Sequence, residues 1–209
     1  MSTVSVNAWM DEACAAVVAD ADRLTELDSA IGDGDHGNNL KRGFRAVVEA
    51  LATGGDDLVP GRRLILAGKT LVSKVGGASG PLWGTALRRA GRSMGDAEAL
   101  EGPALADALD AALAGIVELG AAQVGDKTMV DALTPATQAL RAAVEAGQPL
   151  ADAIAAATEA AEEGARSTIP LQARKGRASY LGERSIGHED PGAASTVLII
   201  SALGRALED

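Results

Sequence analysis

Residues 28–39 read Asp-Ser-Ala-Ile-Gly-Asp-Gly-Asp-His-Gly-Asn-Asn. Three carboxylates, Asp28, Asp33 and Asp35, fall within this short stretch, with glycines between them. Carboxylates held this close repel one another and resist ionisation unless a cation stands among them. Hard oxygen donors on a compact segment suit Mg2+, which takes one or two carboxylates and leaves its other positions to water and phosphate. Three carboxylates could serve two such ions. Rival readings are weaker. Gly32 to Gly37 matches the glycine string of dinucleotide-binding folds, but no apolar strand precedes it. Asp33 and Asp35 could open a calcium loop, but Phe44 stands where that loop needs its bidentate glutamate. The three aspartates could also only cap helices and shape a turn. That reading suits a lone aspartate better than a trio with His36 and Asn39 beside it.

Other segments carry phosphate chemistry. Residues 76–84, Gly-Gly-Ala-Ser-Gly-Pro-Leu-Trp-Gly, lead from glycines straight into a helix start. Free N–H groups there can hold an anion with help from the Ser79 hydroxyl; an ordinary capped turn is the equal alternative. Residues 125–131 offer a cation in Lys127 and a soft apolar side chain in Met129, which either faces a flat ring or belongs to the core. Arg174-Lys175-Gly176-Arg177 is either a solvated basic turn or a loop whose Arg177 fork grips phosphate oxygens. Asp190-Pro191-Gly192 caps and opens a helix. The two histidines, His36 and His188, serve as bases or as loop-shaping hydrogen-bond partners.

Helices must position these loops. Apolar spacing predicts a first helix over 4–25, a loop over 28–38, and a second helix over 39–51. A third starts at Pro60 and stops at Gly76-Gly77. A fourth runs from Ser79 to Gly95, a fifth from Pro103 to Ala121, a sixth from Met129 to Glu145 and a seventh from Leu150 to Ser167. A polar stretch over 172–189 precedes a last helix opening at Asp190-Pro191. The β-branched run 196–200 reads as buried helix because that cap and proline precede it. The expectation is an all-α barrel or bundle of about eight antiparallel helices, one domain over 1–209, with no strand. Every second connection then falls at the same end, so one end can gather all the polar loops.

Bulk composition agrees. Aromatics are only 2% of 209 residues, and the apolar mass is largely alanine and leucine, which favour helices. A net charge of −10 argues against nucleic acid as partner and requires cations at any phosphate site. Cys14 is the only cysteine, so no internal disulfide forms. No apolar run is long enough to span a membrane and no signal peptide is evident, so a cytoplasmic location is the expectation.

Taken together, residues 32–39, 76–82, 125–133 (Gly-Asp-Lys-Thr-Met-Val-Asp-Ala-Leu), 176–182 (Gly-Arg-Ala-Ser-Tyr-Leu-Gly) and 190–193 resemble the L, or ADP-binding, subunits of bacterial dihydroxyacetone kinases, in order and along the whole chain. The resemblance implies an eight-helix barrel with ADP or ATP at one end. It implies two Mg2+ ions on Asp28, Asp33 and Asp35, and a nucleotide pocket lined by His36, Gly37, Asn38, Asn39, Ala78, Ser79, Gly120, Met129, Arg177, Asp190, Pro191 and Gly192. Arg177 would act catalytically, from a loop that closes over the nucleotide. The implied partners are a K subunit holding dihydroxyacetone and, in one branch, a phosphotransferase-system protein that rephosphorylates bound ADP, within glycerol metabolism. Alternatives are a split ATP-dependent kinase for a tetrose such as erythrulose, and a non-catalytic nucleotide-binding regulatory module. The similar fatty-acid kinases are much longer chains.

Overall fold

The structure is a computed structural model that describes residues 2–54 and 58–208. Nine α-helices are found among these residues: α1 (Val6–Ala19), α2 (Ala21–Ile31), α3 (His36–Thr53), α4 (Pro60–Lys74), α5 (Ser79–Ser93), α6 (Gly102–Gly120), α7 (Met129–Glu145), α8 (Leu150–Ser167) and α9 (Pro191–Arg205). A 3-10 segment, Arg177–Ser185, lies in the polar stretch between α8 and α9. The single first helix expected over 4–25 is instead two helices that break at Asp20 and run on to Ile31. Asp28 therefore stands on a helix, not in the loop expected from residue 28. A two-stranded antiparallel ladder, β1 (Thr3–Val4) with β2 (Leu207–Glu208), was not foreseen. Pairs this short give no periodic signal.

The helices close a ring. α3, α4, α5, α6, α7, α8 and α9 each pack on the next, and α9 returns to α1, which packs on α3. α2 continues the pass of α1 and lies against α3 and α9. The expected eight-stave barrel is thus what the chain forms, with α1 and α2 sharing one stave. Trp9, Met10, Phe44, Leu64, Leu71, Leu105 and Ile116 are fully buried in one continuous core. The Trp9 indole N–H donates to the Ile199 carbonyl at 2.9 Å, satisfying its polar edge where α1 meets α9.

The small-residue composition has a packing cause. A Cβ on Gly68 would lie 2.6 Å from the Gly84 carbonyl oxygen, and one on Gly91 would lie 2.3 Å from that of Gly61. The α4 and α5 backbones touch at two levels, which only glycine permits. Gly37 does the same between α3 and α2: its Cβ would meet the Ala21 carbonyl oxygen at 1.9 Å. Gly37→Ala is therefore expected to cost about 1–3 kcal/mol of stability by overpacking, read by urea unfolding.

Polarity along the ring follows from the connections. α3, α5, α7 and α9 all begin at one end, where the polar loops gather. The first and last described segments meet at the other end. There Val4 N–H donates to the Leu100 carbonyl and Ser5 N–H to that of Ala206, at 3.0 and 3.1 Å.

Candidate functional site

Asp28, on the last turns of α2, is the carboxylate of the three that is tied to the backbone of the turn. Its Oδ2 accepts the backbone N–H groups of Asp35 and His36 at 2.8 and 3.1 Å. This folds the 32–35 turn back over α2 and brings Asp33 and Asp35 beside Asp28. One carboxylate oxygen from each residue lies within 4.8 Å of the others. Asp33 and Asp35 are exposed while Asp28 is buried. Three hard oxygen donors converging at a cavity rim fit divalent magnesium, with positions left for water and phosphate.

The trio borders a cavity of about 610 Å3 at the end where α3, α5, α7 and α9 begin. Gly76, Gly77, Ala78 and Ser79 form its floor beside the carboxylates. The α5 N-terminus has no side-chain cap, so its first N–H groups remain available to an anion. The N-terminus of α7, by contrast, is closed by a capping box of Thr128 and Asp131, and that of α9 by Asp190. Only one of these three helix starts is open to a ligand. Another part of the lining is apolar, made by Leu82, Ile116, Ala122, Met129 and Val130 with Gly120. One cavity thus joins an anion-binding floor to a slot suited to a flat ring.

His36, at the start of α3, ties two of these helices together. Its Nε2 lies 3.0 Å from Ser195 Oγ and its Nδ1 3.1 Å from Ser79 Oγ. The Ser195 hydroxyl donates its one proton to the Gly192 carbonyl, so His36 carries its proton on Nε2 and Nδ1 accepts from Ser79. Burial holds the ring below the ordinary histidine range, against the pull of Asp28 and Asp35. Both ring nitrogens are occupied, so His36 orients Ser79 and has no nitrogen left to act as a base. His188 is exposed and does not line the cavity.

Ten of the twelve expected nucleotide residues line the cavity: His36, Asn39, Ala78, Ser79, Gly120, Met129, Arg177, Asp190, Pro191 and Gly192. Gly37 does not, since it faces α2, and neither does the exposed Asn38. Arg177 reaches across the mouth, its guanidinium 3.0 Å from Asp33 Oδ2, with about two-thirds of the side chain exposed. Lys127 differs from its expected role as a phosphate-facing cation. It is buried, and its ammonium donates to the carbonyls of Thr168, at 2.7 Å, and His188. Desolvation lowers its pKa, against the pull of Asp190 and Asp131. Of the apolar wall, Gly120 and Met129 were expected, whereas Leu82, Ile116, Ala122 and Val130 were not, and neither was Ser195. Leu82, Ile116 and Val130 have the same helical spacing as core residues, and Ser195 sits inside a buried apolar run.

Burial pushes the Asp190 carboxyl up to about 7, against the Ala193 N–H that its Oδ2 accepts at 2.7 Å and the nearby Lys127. A folded-state value above the ordinary 3.8 means the fold prefers the protonated form. That contribution is full below the unfolded value and is lost as pH rises through the folded one. Asparagine caps a helix about as well as aspartate but does not titrate. The stability of the native chain relative to Asp190→Asn should therefore fall from about pH 4 to about pH 7 and level off above. Urea unfolding on either side of that window checks it.

The chain is similar in sequence and fold to known proteins. The DAK2 domain model matches residues 30–205. The chain is 42% identical, over 100% of its own length and 99% of the relative's, to the "PEP-dependent dihydroxyacetone kinase, ADP-binding subunit DhaL" of Escherichia coli (strain K12). It is 40% identical to the "L-erythrulose 1-kinase" of Mycolicibacterium smegmatis (strain ATCC 700084 / mc(2)155), over 88% of this chain but only 32% of that one. The crystal structure of the dihydroxyacetone kinase from C. freundii in complex with AMP-PNP and Mg2+ superposes with a TM-score of 0.73 at 27% identity, covering 95% of this chain. This chain spans about a third of that protein, 33% of its length. A family match over most of the sequence, and a relative aligned end to end, make this chain a member of the DAK2 domain family.

Proposed function

We propose that this chain is the nucleotide-binding subunit of a dihydroxyacetone kinase, holding ADP or ATP through two Mg2+ ions on Asp28, Asp33 and Asp35. The observation that carries this reading is the convergence of the three carboxylates beside the uncapped start of α5, at the rim of a cavity whose lining is partly apolar. In this reading the purine lies against Leu82, Ile116, Gly120 and Met129. The phosphates lie over Gly77 to Ser79. Magnesium, when bound, offsets the charge that phosphate brings into a chain of net charge −10. Arg177, freed from Asp33 when cations take that carboxylate, turns to the transferring phosphoryl group and steadies its charge in the transition state.

The γ-phosphoryl group passes in line to a ketose hydroxyl, and this chain contributes position and charge. The ketose is held by a partner K subunit. Relatives named as ADP-binding subunits align with this chain over nearly their whole length, whereas the erythrulose kinases match it over about a third of theirs. Identity of 40–42% to relatives named as ADP-binding subunits of PEP-dependent dihydroxyacetone kinases supports the branch in which ADP stays bound and a phosphotransferase-system protein renews its phosphate. Nucleotide released by denaturing the purified chain tests this: ADP in near-equal amount to protein is the expected result. An empty site that binds and releases ATP freely would instead place the chain with the kinases that exchange ATP.

A further inference from the structure

The mechanism above leaves Lys127 unused, yet burying an ammonium is costly in desolvation and in side-chain freedom. Its two acceptors are informative. Thr168 and His188 stand at opposite ends of the excursion over 169–187. The same neck is closed by Gly187 N–H donating to the Ile169 carbonyl at 2.8 Å, and by Asp190 N–H donating to Thr168 Oγ1 at 3.0 Å. The excursion carries Arg174, Lys175, Arg177 and Tyr180 over the cavity.

Lys127 also belongs to the turn that starts α7. Its backbone has φ +62°, and the turn around it is tied by Asp131, which accepts the N–H groups of Gly125 and Thr128 at 2.6 and 2.7 Å. Arg174 N–H reaches the same turn, donating to the Asp126 carbonyl at 3.0 Å. One rigid turn thus carries Met129 on the apolar wall and grips both ends of the loop that bears Arg177.

We propose that Lys127 is a positioning residue that clamps the neck of the 169–187 loop and thereby sets where Arg177 stands over the cavity. Its effect on nucleotide rests on the nucleotide-binding reading; the clamp itself does not. The test uses Lys127→Met, which keeps the side chain's bulk, alone and combined with Arg177→Ala. In the nucleotide-free chain, Lys127→Met should speed tryptic cleavage after Arg174, Lys175, Arg177 and Arg184 about tenfold while cuts within the barrel helices keep their rates. With Mg-ADP, it should speed nucleotide release about tenfold in the native background and hardly at all when Arg177 is already alanine.

Unchanged cleavage of the loop would overturn the clamp. Release rates that multiply independently in the double variant would overturn its action through Arg177. If the native chain binds no Mg-ADP, the nucleotide reading fails and the cleavage pattern alone decides on Lys127. Should Lys127→Met not fold, Thr168→Val removes the hydroxyl that takes the Asp190 N–H at the same neck, and it faces the same two measurements with the same expected results.

Discussion

Asp33→Ala is expected to weaken Mg-ADP binding by about 100-fold or more while leaving the helical fold and its melting temperature nearly unchanged. The size follows from removing one charged ligand from a metal–phosphate cluster, a loss of about 3 kcal/mol or more. The selectivity follows from geometry. Asp33 is exposed, and among the described residues its side chain pairs with Arg177, which is itself largely exposed, so the pair contributes little to stability. Asp28 behaves differently. Its carboxylate accepts two backbone N–H groups that shape the 32–35 turn, so Asp28→Ala should lose both nucleotide and about 1–3 kcal/mol of stability. Asp28→Asn keeps an acceptor for those amides without the charge and should lose mainly the nucleotide. Calorimetric titration with Mg-ADP, paired with urea unfolding, separates the two effects. Unaltered affinity in Asp33→Ala would remove the metal clamp from the proposed function.

The second large effect concerns turnover. The isolated chain should phosphorylate dihydroxyacetone at least about 100-fold more slowly than the chain supplemented with its ketose-holding subunit, the range typical of a missing acid–base group. His36 is the histidine nearest the carboxylates, and both its nitrogens are engaged by serines. Lys127 is turned to backbone carbonyls. In the proposed function the base that takes the proton from the ketose hydroxyl comes from the subunit that holds the ketose. A coupled assay of dihydroxyacetone phosphate formation, with and without the second subunit, reads the difference. Rapid turnover by the chain alone would mean that a group in the cavity works as the base.

Residue types and spacing foretold a good part of this. Prolines and glycines marked where α4, α5, α7 and α9 begin, because Pro60, Ser79, Met129 and Pro191 follow recognisable start signals. The break at Asp20 leaves no mark in the sequence, because alanines and aspartates on either side fit a continuous helix. The same holds at residue 28: the carboxylate chemistry of Asp28 suggests a loop, but its apolar neighbours Leu24 and Ile31 keep the helix going beneath it. Lys127 was legible only as a charge near glycines. Its true partners lie about 40 and 60 positions away, and tertiary packing alone decides between a phosphate and two carbonyls. Apart from Gly120 and Met129, the apolar wall was unreadable for a related reason, since a residue facing a ligand slot and a residue facing another helix obey the same periodicity.

The short ladder of Thr3–Val4 with Leu207–Glu208 holds the first and last described strands side by side at the pole away from the cavity. An affinity handle or a whole fused protein attached at either extremity would project from that pole and leave the mouth clear for nucleotide and for a docking subunit. The same adjacency suits the barrel to circular permutation: a short linker can bridge the old ends, and new ones can be opened at the tight turn around Gly147, where backbone with φ +70° joins α7 to α8.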